Sequence, residues 1–413
     1  MAVDIGGTFT DVVVLDDGQV VSFAKVPSTP RSPSDGILQG VLAGLERAGL
    51  RPDQVDRFAH GTTVATNAVL ERKGAVVGLF ATDGFEDTLE IGRMKRRELY
   101  NLFIDAQTPI FLAPRRRREP IRERLDAHGN VLVPLDEDQV RFAARRLVDE
   151  EGVTAFAICY LHAYRNGVHE RRTAEIIRER YPDLPISLSS VVNPQFREYE
   201  RTCTTAFDAY LRPLMTTYIR NLVDRLAKAG VRAPVELMLS RGGLAEAKRA
   251  GNQPVTLFLS GPAAGVLGAS GEATLQGFPE AITLDMGGTS ADVALINGGK
   301  PTLRSEGDID GYPVRTPMLD LTTVGAGGGS IAWIDAGGSL HVGPRSAGGD
   351  PVPVCYGLGG DQPTVTDASL MLGYLNPDGF GRGGSKLDRV AAQDSFVALA
   401  NRPRNQPASR LSS

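Results

Sequence analysis

Residues 4–18 read DIGGTFTDVVVLDDG, and residues 285–299 read DMGGTSADVALINGG. The two stretches align at a constant offset of 281 (285 minus 4), with seven of fifteen positions identical: the leading Asp, Gly-Gly-Thr, a second Asp, a Val and the closing Gly. Each reads as strand, small-residue turn, strand. In the first copy the apolar run Val12–Leu15 meets the turn Asp16-Asp17-Gly18, and Val20–Phe23 completes a hairpin. A repeat so widely spaced is not the period of a solenoid. It predicts a duplicated lobe, each half opening on the same hairpin.

In a Gly-Gly-Thr turn no Cβ blocks the backbone, so N–H groups converge on an anion. Gly6, Gly7 and Thr8 supply one such turn and Gly287, Gly288 and Thr289 the other, with both threonines adding a hydroxyl. A carboxylate at the end of the preceding strand, Asp4 or Asp285, would repel a phosphate unless a divalent cation lay between them. Mg²⁺ prefers that setting of carboxylates, phosphates and retained waters. Two facing hairpins would clamp a nucleotide's phosphates from both sides. One Gly-Gly turn is as often a plain hairpin, but two matched copies with Asp before and after favour phosphate binding.

Outward from the first hairpin, strands and helices alternate to about residue 190, which predicts α/β layers. Ile37, Leu38, Val41, Leu42 and Leu45 recur at helical spacing and end at Gly49, a C-cap. A second helix starts at Asp136, with Gln139 placed for a capping box. The apolar run Val153–Leu161 reads as a buried strand. From Gln195 to Ala229 one long helical segment keeps Tyr199, Cys203, Phe207, Tyr210, Leu214, Tyr218, Leu222 and Leu226 on one face. Pro213 should kink it or start a second helix. A short strand at Val235–Leu239 and a second strand-rich block from Ile282 follow.

With 413 residues, two or three domains are expected. The net charge of −4 argues against non-specific nucleic-acid binding, because nothing would drive counterion release. The basic run Arg115–Arg118 stands before Glu119, Glu123 and Asp126, as a solvated face with local ion pairs would. Cys159, Cys203 and Cys355 form no CxxC pair, which suggests reduced thiols and a cytoplasmic protein. No apolar stretch is long enough to span a membrane, and no signal peptide is visible.

Several further segments invite a ligand. His60, Thr62 and Thr63, with Thr66-Asn67 after them, form a donor-rich loop at a strand end, where α/β folds make ligand contacts. A threonine capping the following helix is the plainer reading. Ser260-Gly261-Pro262-Ala263-Ala264-Gly265 suits a close backbone approach, a helix start, or both. Gly325, Gly327, Gly328 and Gly329 cannot sit comfortably in a helix; they suit a loop against a nucleotide, or a hinge between packed pieces.

Two Asp-x-Gly-Gly-Thr hairpins in one chain resemble the phosphate-1 and phosphate-2 motifs of the actin, hexokinase and heat-shock-ATPase superfamily. DIGGTFTDVVV, HGTTVATNAVLERKGA (60–75), REYERT (197–202), SGPAAGV (260–266), LDMGGTSADVALI (284–296) and VGAGGGSIAWIDAGG (324–338) together resemble the hydantoinase A / 5-oxoprolinase family. The resemblance runs in order to about Gly373. It implies an α/β, actin-like (ribonuclease H-like) duplicated two-lobed ATPase fold, incomplete at the C-terminus. The expected division is an N-terminal lobe at 1–190, a second lobe with the long helical connector at 195–390, and a polar tail at 391–413.

The resemblance further implies ATP and Mg²⁺ as cofactors. Asp4 and Asp285 would hold the metal and serve catalysis. Gly6, Gly7, Thr8, Gly287, Gly288 and Thr289 would cradle the phosphates, supported by Thr10, Asp11, Ser290 and Asp292. His60, Thr62, Thr63 and Asn67 would face a small cyclic-amide substrate, 5-oxoproline or a hydantoin, whose ring opens at the cost of ATP. A hydantoinase B-like subunit is the implied partner. The same motifs occur in acetone- and acetophenone-type carboxylase subunits, and a non-catalytic ATP switch is a further reading. Glu123-Arg124, Arg197-Glu198, Glu200-Arg201 and Asp367 also lie in matching segments, where buried ion pairs would explain them without chemistry.

Two departures stand out. Thr322 occupies a place where the family commonly has His, and GGDPVPVCYG replaces a segment usually richer in Gly-Pro. Family members also extend further, so the ending NRPRNQPASRLSS, after a helix around Leu387–Leu399, reads as a shortened gene product.

Overall fold

The computed structural model describes residues 1–6, 9–29, 32–95, 100, 107–288, 290–335, 337–347, 352–378 and 386–401. Strand β1 (Ala2–Ile5) runs antiparallel to β2 (Phe9–Asp16), which pairs with β3 (Gln19–Pro27). The turn between β2 and β3 has Asp17 and Gly18 at positive φ, as expected for Asp-Gly. Helix α1 (Pro33–Ala48) starts with Pro in its first turn and stops at Gly49 in the left-handed conformation. Its buried face, Ile37, Val41 and Leu45, shares a core with Val12, Val14 and Ala24 of the hairpin. Strand β4 (Phe58–Thr62) lies parallel to β1 on its other edge, with Asp4 opposite Gly61. Helix α2 (Val64–Leu70) leads away from it.

A second sheet is wholly parallel. Strands β5 (Val77–Thr82), β6 (Arg118–Ile121), β7 (Ala155–Cys159) and β8 (Ile186–Leu188) line up in the order β8-β7-β5-β6. All of β5 and β7 is buried, as continuous apolar strands with both faces covered must be. Alternate residues serve the two faces. Phe80, Phe156 and Ile158 pack with helices α3 (Glu137–Asp149) and α4 (Val168–Arg180). Leu79, Ala155 and Ala157 join the core of the first sheet. At the start of α3 only half of the expected capping box forms. The Asp136 carboxylate accepts from the Gln139 N–H at 3.0 Å, but the Gln139 side chain bonds Arg122 and Pro120.

Past the short α5 (Ser189–Val192), helix α6 (Glu198–Lys228) runs unbroken through Pro213, so no second helix begins there. Proline removes a helical donor, and nearby the Tyr210 carbonyl accepts the Ala75 N–H at 2.9 Å. Strands β9 (Val235–Met238) and β10 (Leu244–Glu246) extend the first sheet to six, in the order β10-β9-β4-β1-β2-β3. Residues beyond 195 therefore build that sheet too, and the expected division at 190–195 does not separate the sheets.

Helix α7 (Ser260–Leu275) leads to a third sheet of β11 (Ala281–Met286), β12 (Ala291–Asn297), β13 (Lys300–Pro301) and β14 (Leu321–Val324). In it Leu284, Asp285 and Met286 face Val293, Asp292 and Ala291. The first hairpin has the same register, with Val3, Asp4 and Ile5 facing Val12, Asp11 and Thr10. Helices α8 (Val365–Met371) and α9 (Arg389–Ala400) complete the described fold; the tail at 402–413 lies outside the described residues.

The basic run forms ion pairs, Arg115 with Glu86 and Asp87 and Arg116 with Glu151. It is not wholly solvated, however. The Arg118 side chain is fully buried, bonded to the Ala113 carbonyl, Asp87 and Glu90. All three cysteines are free and buried, and burial pushes the Cys159 thiol up to about 12. No helix among the described residues is long and apolar enough to cross a membrane.

Candidate functional site

Helix α7 packs on both β4 of the first sheet and β11 of the third, and this brings the two hairpins' aspartates together. Its first turn is pinned by Ser260, whose fully buried hydroxyl donates to the Thr62 carbonyl at 2.8 Å and accepts the Thr62 N–H at 3.2 Å. One residue on, Gly261 lies against Asp4. A Cβ there would stand 3.0 Å from Asp4 Oδ1, and one on Gly61 would stand 2.8 Å from the same oxygen. The Asp4 carboxylate thus occupies a slot between two glycines. One helical turn further along the same face, Gly265 faces Asp285, its would-be Cβ 3.7 Å from Oδ2. The segment 260–265 is therefore both a helix start and a close backbone approach.

Asp4 and Asp285 are near enough to influence each other. Burial, then the charges of Asp11 and Asp285, raise the Asp4 pKa above the ordinary carboxylate range, and Lys25 opposes them. Lys25 is ion-paired with Asp11 at 3.0 Å. Two carboxylates held close, both reachable by solvent, fit a divalent cation. Among the described residues no cluster of three or more His, Cys, Asp or Glu forms. Mg²⁺ needs no more than one or two carboxylates when phosphates and waters complete its shell.

The supporting residues sit as follows. Thr10 is fully buried, its hydroxyl 3.2 Å from that of Ser28, which donates to the Gly6 carbonyl at 2.8 Å. Asp292 accepts from the Thr323 hydroxyl at 2.6 Å. Ser290 closes the second turn by accepting the Gly287 N–H on its carbonyl at 2.8 Å. Gly7, Thr8 and Thr289 lie outside the described residues.

The glycine-rich loop is built differently from the expectation. The Gly328 and Gly329 N–H groups donate to the carbonyls of Gly287 and Gly288, and the Gly327 N–H donates to Ser330 Oγ at 2.9 Å. The first two amides buttress the second hairpin's turn, the third closes the loop on itself, and none of the three is free for phosphate. A Cβ on Gly325 would meet nothing within 4 Å.

The substrate candidates divide in two. His60 and Thr62 are core residues, each 1% exposed. The His60 Nδ1 bonds the Val3 carbonyl at 3.2 Å and Nε2 the Tyr218 hydroxyl at 2.5 Å, leaving no ring nitrogen for a substrate. Burial holds the His60 pKa down to about 4, against the opposing effect of the Val3 bond. His60 follows β1 in register with Val3, and that inward position corrects its placement toward substrate. Thr63 and Asn67 are only half-buried. Thr63 Oγ1 donates to the Ile5 carbonyl at 3.1 Å and accepts from Asn67 at 3.4 Å, so both stand beside the first turn. Tyr218, read from sequence as part of an apolar stripe, is the partner that was missed; a buried tyrosine hydroxyl needs one.

Three acidic residues of the other matching segments have partners within the fold. Glu123 pairs with His169 at 2.7 Å, Glu200 with Arg93, and Asp367 accepts the N–H groups of Cys355 and Thr364.

The sequence pattern of the hydantoinase/oxoprolinase N-terminal region matches residues 1–181, and that of the hydantoinase/oxoprolinase family matches residues 201–409. The chain belongs to the hydantoinase/oxoprolinase family. It is 41% identical to the caprolactamase subunit alpha of Pseudomonas jessenii, over 98% of this chain and 58% of that protein. It is 38% identical to the acetophenone carboxylase gamma subunit of Aromatoleum aromaticum, over 95% of this chain and 56% of that protein. It is 33% identical to 5-oxoprolinase 1 of Arabidopsis thaliana, over 96% of this chain and 33% of that protein.

Among solved structures, the ATP-dependent caprolactamase from Pseudomonas jessenii superposes with a TM-score of 0.82 at 39% identity, over 96% of this chain and 58% of that one. Acetone carboxylase in its nucleotide-free form gives 0.76 at 30% identity, with the same coverage. The mixed α/β fold with a parallel sheet is common to all three. This chain spans less than two thirds of the length of each of these relatives.

Proposed function

We propose that this chain binds Mg-ATP between its two Asp-x-Gly-Gly-Thr hairpins, in an actin-like duplicated arrangement, and uses it to open a cyclic amide. The observation that carries the reading is the convergence of Asp4 and Asp285 on one face of α7. The ATP-dependence of the Pseudomonas jessenii caprolactamase supports the nucleotide, and the caprolactamase and 5-oxoprolinase relatives support the lactam.

Asp4 and Asp285 would hold Mg²⁺, which would neutralise phosphate charge. Gly6, Gly288 and the neighbouring residues 7, 8 and 289 would cradle the phosphates, without the expected Gly287 N–H, which is bonded to the Ser290 carbonyl. The protein's task in phosphoryl transfer is positioning and charge stabilisation. Chemically, the lactam oxygen attacks the γ-phosphorus and ADP departs. Water then adds to the activated carbon, and the ring nitrogen leaves as an amine, giving an acyl phosphate. A second water hydrolyses this to carboxylate and phosphate. Thr63 and Asn67 stand where such a substrate would approach the first turn.

Relatives named as subunits support a partner, of hydantoinase B type, that completes the reaction. The acetophenone and acetone carboxylase relatives carry a second reading, in which the same nucleotide site activates a ketone.

ATP turnover measured with caprolactam, 5-oxoproline, hydantoin, acetone and acetophenone separates these readings. Stimulation by a cyclic amide alone is expected. Stimulation by ketones alone would move the chain to the carboxylases, and absence of Mg-ATP binding by calorimetry would remove the nucleotide site.

A further inference from the structure

We propose that the carboxyl edge of the parallel second sheet is a separate binding site for a small organic carboxylate, held by Arg201 and Asn193. In open parallel sheets, ligands bind beyond the carboxyl ends of the strands. Here β5, β7 and β8 end at Thr82, Cys159 and Leu188. The loop after β7 carries Tyr160, His162 and Tyr164, and α5 with its cap carries Ser190 and Asn193.

Buried polar atoms without a partner among the described residues gather at this edge. They include Arg201 Nε and Nη1, both polar atoms of the Asn193 carboxamide and His162 Nδ1. Arg201 is 1% exposed and Asn193 is 2% exposed, so bulk water does not serve them.

Contacts tie Arg201 to the loop after β7 and, through Glu170, to the short helix α5 that Asn193 caps. Arg201 Nη2 donates to the Tyr160 carbonyl at 2.8 Å, and its guanidinium lies 5.4 Å from the Tyr164 ring, which neighbours His162. The Tyr160 and Ser190 N–H groups converge on Glu170, which also accepts from Ser189. Glu170 therefore has both oxygens occupied. Glu198, 3.5 Å from Arg201 Nη2, is at the limit of contact. Two guanidinium nitrogens remain to be met by an acceptor.

A buried, oriented guanidinium is matched best by a carboxylate. The Asn193 carboxamide offers a donor and an acceptor, so a carboxylate bearing a nearby hydroxyl or amide suits the pair. Arg201 stands at the start of α6 and Tyr218, beside His60, well along it. At the rise of an α-helix these two residues lie about 25 Å apart. The site is thus independent of the nucleotide reading.

The test is thermal melting and calorimetry with acetate, succinate, glutamate and malate. At least one should raise the melting temperature with concentration. That shift should vanish in Arg201→Met and Asn193→Leu, with Mg-ATP binding unchanged. Asn193→Leu decides the matter if Arg201→Met does not fold, because replacing unpaired buried polar atoms by apolar ones of similar shape is tolerated. No shift with any of the four acids, or a shift that survives Asn193→Leu, would overturn the proposal.

Discussion

The two Asp-x-Gly-Gly-Thr hairpins share a register but not an environment. In the first, β1 is paired on both edges, by β2 and β4. In the second, β11 pairs only with β12 among the described residues. Val3 and Ile5 are 3% and 4% exposed, while their counterparts Leu284 and Met286 are 63% and 48% exposed. Both aspartates are exposed, but Asp4 is wedged between Gly61 and Gly261, whereas Asp285 meets only the open side of Gly265. The repeat therefore dictates the hairpin, and what lies against its far edge dictates how firmly the aspartate is held. The first half is preorganised and the second is adaptable.

If that difference matters, the two aspartates should not contribute equally. Asp4→Asn is expected to weaken Mg-ATP binding by about 100-fold and Asp285→Asn by about tenfold, the span for losing a charged partner at a fixed and a loose site. Calorimetric titration measures both. Equal losses would mean the aspartates are equivalent once the nucleotide binds.

The brace beneath β1 makes the second contrast. His60 bonds Val3 and Tyr218, and its pKa is held near 4 in the fold from an ordinary 6.5. The unfolded chain takes up that proton first, so this contribution to stability is intact above about pH 6.5 and falls as pH drops toward 4. By about pH 4.5 the loss should reach about 2.5 kcal/mol. His60→Gln, which keeps hydrogen-bonding capacity without titrating there, should flatten the decline in melting temperature relative to the parent. An unchanged slope would assign the titration to another group.

Much of this was legible from residues. The repeat, its register, the capping of α1 by Gly49 and the helix at SGPAAG follow from local chemistry that tertiary contacts do not override. The inward turn of His60 was not legible. It sits in a donor-rich segment at a strand end, and only parallel pairing with β1 decides which side chains face the core. The glycine-rich loop failed in a similar way. Its composition announces close approach, but not that the approaching group is the hairpin's own turn. Nor did periodicity assign β9 and β10 to the first sheet, because strand pairing across such a sequence separation leaves no local signal.

The glycine slot sharpens the contrast at a smaller scale. Gly61→Ala and Gly261→Ala each force a methyl to 2.8 Å and 3.0 Å from Asp4 Oδ1. Overpacking of that kind costs about 1–3 kcal/mol, and Mg-ATP affinity should fall with it as Asp4 is displaced. Gly265→Ala places its methyl at 3.7 Å from Asp285, an ordinary contact. It should leave affinity within about twofold, since helical Ala is otherwise favourable. A large loss from Gly265→Ala, measured in the same titration, would show that Asp285 is held as tightly as Asp4.

The smallest effect is expected on the exposed face of β11 and β12. Ile282, Leu284 and Leu295 are 71%, 63% and 58% exposed, and substitutions at such positions usually change stability by less than about 0.5 kcal/mol. Leu284→Thr should therefore barely move the urea midpoint. Val3→Thr, at the matched site in the first hairpin, buries a hydroxyl without a ready partner and should cost about 1–3 kcal/mol. The pair isolates environment from sequence, because both residues precede the aspartate of the same motif. If Leu284→Thr proves as costly as Val3→Thr, the face of β11 is covered in solution. Light scattering on the parent and the variant would then separate self-association, which the threonine should weaken, from rearrangement within one chain, which it would not.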